Sequence, residues 1–294
     1  MKCRACGAEA HLAVGEKDGF PLWGCRCGSV NADIAAAGLP DYASAYADAS
    51  FETSAAVRKS LTETVESVAA YRRLGRWVDI GFGEGALLVE AQTLGWDCAG
   101  TEISGASLKF GRSRGWDVTT QSSAWADDSC DVVSLMEILE HVLDPEGLLR
   151  EAWRLLRPGG VLMATTPNIK SLNFRLLGPR WTIVAPPEHI TLFSKGALSR
   201  LTQRIPFVRL SLRTTGLNPT ELLRRSSTEP TAQERNAGAQ QMMKATSGRG
   251  GRLVKRIANS VLNALQAGDS LKLLAEKPAR TGRPDPLKAG GKSK

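Results

Sequence analysis

The residues able to do chemistry fall into three short stretches of this 294-residue chain. The first pairs CRAC near the start with CRC further on: Cys3 and Cys6 are two residues apart, Cys25 and Cys27 one, and eighteen residues separate the pairs. Four thiolates at such spacing suit tetrahedral Zn²⁺, which folds small segments that have no core of their own. A degenerate, metal-free ribbon is the alternative. The second stretch, VDIGFGEGALL, places Gly81, Gly83 and Gly85 in one turn behind an apolar run. Glycine accepts positive φ and lets backbone approach a ligand closely, so the cluster marks a loop wrapped around something. The third, MEILEHV, brings Glu137, Glu140 and His141 together, and His189 follows in PPEHITLFS. These two are among only three histidines in the chain, and an imidazole can serve a hydroxyl as general base.

Strands and helices alternate around the last two stretches. RWVDIG reads as a strand and GALLVEAQTLG as a helix closed by Gly95; DCAGTE and GASLKFGRSRG repeat the pattern, ending at Gly115. WDVTT is a short strand and CDVVSLME a stronger one. PEGLLREAWRLLRPGG reads as a helix with Leu148, Leu149, Ala152, Leu155 and Leu156 on one side, closed by Pro158-Gly159-Gly160, before the strand VLMATTP. This alternation predicts an α/β fold, a parallel sheet with helices on both faces. The glycine turn then becomes a nucleotide cradle at the carboxyl ends of the strands, with Glu102 at the next strand end offered to ribose hydroxyls. Beyond Pro167, SKGALSRLTQRI reads as a helix capped by Ser194, FVRLSLRTTG and DSLKLLAEKP as strands. RLVKRIANSVLNAL carries Leu253, Ile257, Val261 and Leu265 at helical spacing, a stripe expected to pack on the sheet.

Asp79 stands two residues ahead of Gly81, giving D-x-G-x-G-x-G rather than the G-x-G-x-x-G of dehydrogenases. Together with CDVVSLMEILEHVLDPEGLLREAWRLLRPGGVLMATTPN, this resembles the class I S-adenosylmethionine (SAM) dependent methyltransferases over roughly residues 71 to 217. The resemblance implies a Rossmann-like sheet preceded by the small zinc-ribbon-like segment. It also implies that Asp79, Gly81, Phe82, Gly83 and Gly85 line the methionine portion of SAM, with Glu102 on its ribose and Glu137 beside it. Where the family often has an acidic residue near the adenine, TTQSSAW offers Ser122 or Ser123. The ExxEH pattern is similar to ubiquinone-pathway O-methyltransferases and small-RNA 2′-O-methyltransferases. That likeness implies a second metal site at Glu137, Glu140, His141 and His189, where Mg²⁺, Mn²⁺ or Zn²⁺ holds the acceptor hydroxyl. Two alternatives stand beside it: His141 as a metal-free base, with Glu140 and His189 in support, or a structural role in which the Glu and His bond SAM or cap the next helix.

The ribbon, the DYASAYAD segment, the core and TPN…W…PEH…FS together resemble bacterial methyltransferases of sugars, envelope glycans and secondary metabolites. By that resemblance Asn168, Trp181 and His189 would touch the acceptor, and the expected substrate is a small-molecule, glycan or lipid-linked hydroxyl. RNA or protein as methyl acceptor and a non-catalytic SAM-binding scaffold are the competing readings. The formal charge of +8 concentrates after Thr231, with thirteen basic against four acidic residues, while the body is near neutral. Such a distribution favours a small acceptor over nucleic acid, whose enzymes spread basic residues along the working face. No run approaches a membrane span, and the start lacks an apolar signal core, so a cytoplasmic enzyme is expected. The expected organisation is a ribbon at 1–30, a helical lead-in at 31–75 broken at Pro40 and ended by Gly75, and a methyltransferase domain at 76–280. A polar insertion occupies 217–251 and a basic tail 281–294.

Overall fold

The computed structural model describes residues 1–35, 37–40, 53–219, 221 and 249–279. Strands β1 (Leu12–Lys17), β2 (Phe20–Gly24) and β3 (Val30–Ala32) form an antiparallel meander. Helix α1 (Ala55–Glu66) starts at Ser54, whose Oγ accepts from the Val57 amide 3.4 Å away, satisfying one of the exposed first-turn donors. The alternating core follows: β4 (Arg76–Ile80), α2 (Ala86–Thr93), β5 (Asp97–Thr101), α3 (Gly105–Ser113), β6 (Asp117–Thr119) and β7 (Cys130–Met136). Then come α4 (Pro145–Leu155), β8 (Leu156–Pro167), α5 (Leu172–Leu177), β9 (Thr191–Leu192), α6 (Lys195–Thr202) and β10 (Val208–Thr215). Helix α7 (Arg249–Ala264) and strand β11 (Ser270–Glu276) complete the described chain.

Seven strands lie in the order β10-β11-β8-β7-β4-β5-β6. The five from β8 to β6 are parallel, and β11 runs antiparallel to both of its neighbours. Strand order reverses at β4, which has β5 on one side and β7 on the other, so the crevice for a ligand opens beyond their carboxyl ends. Strands β4 and β7 are buried along nearly their whole length, as expected of a parallel sheet covered on both faces. One covering layer joins Val78, Val133 and Leu135 to Leu149 and Leu155 of α4 and Leu198 of α6. The other joins Trp77 and Val132 to Leu88 of α2 and to Trp96 and Trp116.

The N-terminal meander belongs to this body. Cys3, Ala5, Cys25 and Cys27 share the first core layer with Phe193 and Ala197, and β9 pairs with β3 to make a four-stranded sheet β1-β2-β3-β9. In the described part of 31–75, β3 and turns occupy 30–38 and α1 begins at Ala55; the expected helix over DYASAYAD lies outside the described residues. Helix α4 stops at Leu155 instead of running to the Pro-Gly-Gly. Gly159 donates to Lys277 O and Lys277 N to Gly160 O, each at 2.9 Å, so these residues extend β8 alongside the chain leaving β11.

Helix α7 corrects the expected packing of its apolar stripe. Ile257, Val261 and Leu265 are 58%, 51% and 61% exposed. The polar side holds the helix to β10 instead: Thr214 N donates to Asn263 Oδ1 and Gly216 N to Asn259 Oδ1, both at 3.0 Å. Most of the 217–251 insertion and the 281–294 tail lie outside the described residues. Among the described residues no helix is long and apolar enough to cross a membrane.

Candidate active site

Each glycine of the loop answers to a different constraint. All three have positive φ, 71° at Gly81, 53° at Gly83 and 72° at Gly85. A Cβ at Gly81 would come within 2.4 Å of Ile138, and one at Gly85 within 2.7 Å of the Trp116 ring. At Gly83 a Cβ would meet nothing within 4 Å. Two of the glycines therefore serve packing, and the third faces open space. Trp116 stands edge-on to Phe82 and Phe110, with ring centroids 5.9 and 5.6 Å away, so Phe82 contributes its backbone to the loop and its ring to the core.

Glu102 ties this loop to the start of α3. Its Oε2 accepts from Gly83 N at 2.9 Å, and its Oε1 from Ile103 N at 2.7 Å and Ser104 N at 3.2 Å. The carboxylate is thus oriented before any ligand arrives, at the edge of a crevice of about 380 Å³ that Gly81, Thr101, Glu137 and His141 also line. Exposed Leu39, Ile103 and Leu143 form its apolar rim. Asp79 sits behind the loop, buried, with its Oδ1 accepting from Ser134 Oγ at 2.6 Å. Burial, reinforced by Glu102 nearby, pushes its carboxyl up to about 7.

Ser122 is directed elsewhere. Its Oγ donates to Glu151 at 2.6 Å and its carbonyl accepts from Arg154, while Thr120 is the residue of that segment bordering the crevice. Asn168, expected near the acceptor, is fully buried; its amide donates to Gln266 O and Gly268 O and its Oδ1 accepts from Lys170 N. Trp181 is 1% exposed and packs in the layer under β3 and β9, and it also borders a second, smaller cavity beside Glu137.

The ExxEH motif and the distant His189 do come together. One donor atom from each of Glu140, His141 and His189 lies within 4.8 Å of the others, and the two imidazole centroids are 4.7 Å apart. Glu137, with a φ of 55°, lies outside this trio of ligand atoms and lines the crevice, while its carboxylate stays close enough to act on Glu140. Strand β9 supplies the geometry, because Ile190 N and Thr191 N both donate to Glu140 O, fastening the 189–191 segment onto the motif. His141 Nδ1 lies 3.0 Å from Glu188 O and His189 Nδ1 2.6 Å from Ile183 O. A carbonyl only accepts, so each Nδ1 carries the proton and each Nε2 is the basic nitrogen. Burial, and then His189, lowers the His141 pKa to about 4, leaving a neutral imidazole at physiological pH. Glu140 is fully buried, with Oε2 accepting from Thr166 Oγ1 at 2.8 Å and Oε1 lacking a hydrogen-bond partner. Burial and the Glu137 carboxylate push it well above the usual range. A buried carboxylate oxygen without a donor beside two oriented imidazoles fits a divalent cation.

The N-terminal thiols also converge, all four Sγ lying within 4.8 Å of one another. Cys3 and Cys27 are 3.7 Å apart and Cys6 and Cys25 3.5 Å, close to the edge of about 3.8 Å set by Zn–S bonds of about 2.3 Å in a tetrahedron. All six cysteines are free of disulfides. The Cys27 thiol, donating to Cys3, lowers the Cys3 pKa to about 4, so this cluster already favours a thiolate. Cys98 and Cys130 are buried core thiols.

Residues 54–211 match the family model described as "Methyltransferase domain". The chain belongs to the class I SAM-dependent methyltransferases. It is 32% identical over 131 residues to a ubiquinone biosynthesis O-methyltransferase of Cereibacter sphaeroides, covering 41% of this chain and 53% of that protein. A protein of the same name from Bordetella avium is 27% identical over 158 residues, 48% of this chain and 64% of that one. The chain thus spans between half and two thirds of these curated relatives. A SAM dependent methyltransferase from Archaeoglobus fulgidus superposes with a TM-score of 0.49 at 19% identity, covering 75% of this chain and 94% of that structure.

Thr120, the apolar rim and a second, smaller cavity beyond Glu137 escaped the sequence reading. Thr120 alone had a signal, since it directly follows β6 where a crevice contact belongs.

Proposed function

We propose that this methyltransferase moves the methyl group of SAM to a hydroxyl of a small molecule, sugar or glycan, or lipid-linked acceptor. The observation behind this reading is the meeting of Glu140, His141 and His189 beside the glycine crevice. Glu102 would take the ribose hydroxyls, and Gly83 would leave room for the methionine portion. His141, neutral and presenting Nε2, would accept the acceptor hydroxyl's proton as the methyl group departs from sulfur, with His189 beside it. The same Nε2 lone pairs, together with Glu140, would in the alternative hold a divalent cation, which when bound would supply Lewis acidity that lowers the hydroxyl pKa; a nitrogen that ligates the cation takes no proton. Among the described residues neither cavity is lined by lysine or arginine, which favours a small acceptor over nucleic acid.

The four N-terminal cysteines would hold a structural zinc. The decisive assay is methyl transfer after loosely bound metal has been stripped and the ribbon zinc accounted for, followed by addition of Mg²⁺, Mn²⁺ or Zn²⁺. Restored turnover supports cation-assisted transfer; undiminished turnover in stripped enzyme assigns the proton to the histidines alone. Turnover that survives loss of both histidines would overturn this assignment of the site.

A further inference from the structure

On the far side of Glu137 from the crevice lies a second chamber of about 200 Å³. Room for about six water molecules is room for one hydroxylated six-membered ring. Three carboxylates border it, from Glu137, Glu221 and Asp269, and among the described residues no cationic side chain does. Glu221 is only 7% exposed, and among the described residues its carboxylate makes no hydrogen bond. Asp269 is half satisfied. Its Oδ2 accepts from Asn218 N at 2.6 Å and from Asn173 Nδ2 at 2.9 Å, while its Oδ1 has no partner.

Carboxylates this close repel one another and lose hydration, a cost that a bound cation offsets. The remaining lining is Asn218, Thr182 and Ser270, which donate to and accept from hydroxyls, with Trp181, Ile183 and Pro167 as an apolar wall. Glu137 borders both cavities, so an occupant of the chamber lies directly beside the place where SAM's reactive end would sit.

We infer that this chamber is the acceptor subsite and that it takes a hydroxylated ring bearing a protonated amine, of the amino-sugar or aminocyclitol kind. The inference rests on the methyl-transfer reading above and narrows its substrate class. The ammonium group sits among Glu221, Asp269 and Glu137, and the ring hydroxyls pair with Asn218, Thr182 and Ser270, bringing one hydroxyl round Glu137 toward the methyl group.

The test titrates the full-length protein, saturated with S-adenosylhomocysteine, with glucosamine and with glucose, which differ only at one ring carbon. Glucosamine is expected to bind about tenfold more tightly or better, since hydrogen bonds to charged groups exceed neutral ones. Glu221→Gln and, separately, Asp269→Asn should erase most of that preference while S-adenosylhomocysteine affinity stays unchanged, which also shows that each variant is folded. Equal binding of the two sugars, binding of neither, or a preference that survives both substitutions would overturn the inference while leaving methyl transfer intact. Failure of S-adenosylhomocysteine itself to bind would overturn the methyl-transfer reading and this subsite with it.

Discussion

Gly83→Ala and Gly85→Ala, two residues apart along one loop, should fail in opposite ways. Both positions have left-handed backbone, so an alanine costs about 1–2 kcal/mol at either. At Gly85 the new methyl would also stand 2.7 and 2.8 Å from Trp116 ring carbons, inside an aromatic cluster with no slack. Overpacking of that kind adds about 1–3 kcal/mol, for a total of about 2–5 kcal/mol of lost stability. At Gly83 nothing is struck, and Gly83 N keeps its bond to Glu102, so stability should fall only by the backbone cost. The methyl would instead occupy the space assigned to the methionine portion of SAM. Calorimetry should show SAM affinity down by about tenfold or more for Gly83→Ala, equivalent to at least about 1.4 kcal/mol. Urea unfolding reads the other half. Wild-type SAM affinity in Gly83→Ala, or equal stability losses in the two variants, would refute this assignment of the loop.

Asp79, pushed up to about 7 by burial, should make SAM binding pH-dependent. A cationic amino group settling near it requires the ionised carboxylate, so affinity should rise about fivefold from pH 6 to 7 with protons released on binding, and Asp79→Asn should flatten the profile; calorimetry in two buffers of different ionisation heat checks it. Cys3→Ser with Cys6→Ser should release about one zinc per chain and slow methyl transfer more than it weakens SAM binding. The reason is that the ribbon reaches His189 through the pairing of β3 with β9; metal analysis beside kinetics decides. Ile257→Ser should change stability by under about 0.5 kcal/mol in thermal unfolding, since the side chain is already in solvent. Glu102→Ala should weaken SAM by about 1–3 kcal/mol in the same calorimetry, through loss of a charged hydrogen bond.

The sheet was legible because its signals are local. Apolar runs of strand length, glycines at helix ends and the loop at Gly81, Gly83 and Gly85 each specify their own backbone, and the structure places them accordingly. Helix α7 shows the limit: periodicity reveals an apolar stripe, but the amides of Asn259 and Asn263 decide which side meets β10. The end of α4 was misplaced for a similar reason, since its Pro-Gly-Gly is held extended by Lys277, more than a hundred residues later. In the site, Glu137, Glu140 and His141 were readable from one motif, whereas Glu221 and Asp269 come from separate segments that only the fold brings to Glu137. Ser122 was placed by analogy of position, and its bond to Glu151 across to α4 had no trace in the local sequence.

A crystal structure of the protein with S-adenosylhomocysteine and added Mn²⁺ tests the central claim most directly. The account predicts ribose hydroxyls on Glu102, the homocysteine chain passing Gly83, and the sulfur facing Glu137 with the Glu140, His141 and His189 cluster on the acceptor side. A ligand seated elsewhere, or a sulfur turned away from that cluster, would contradict it.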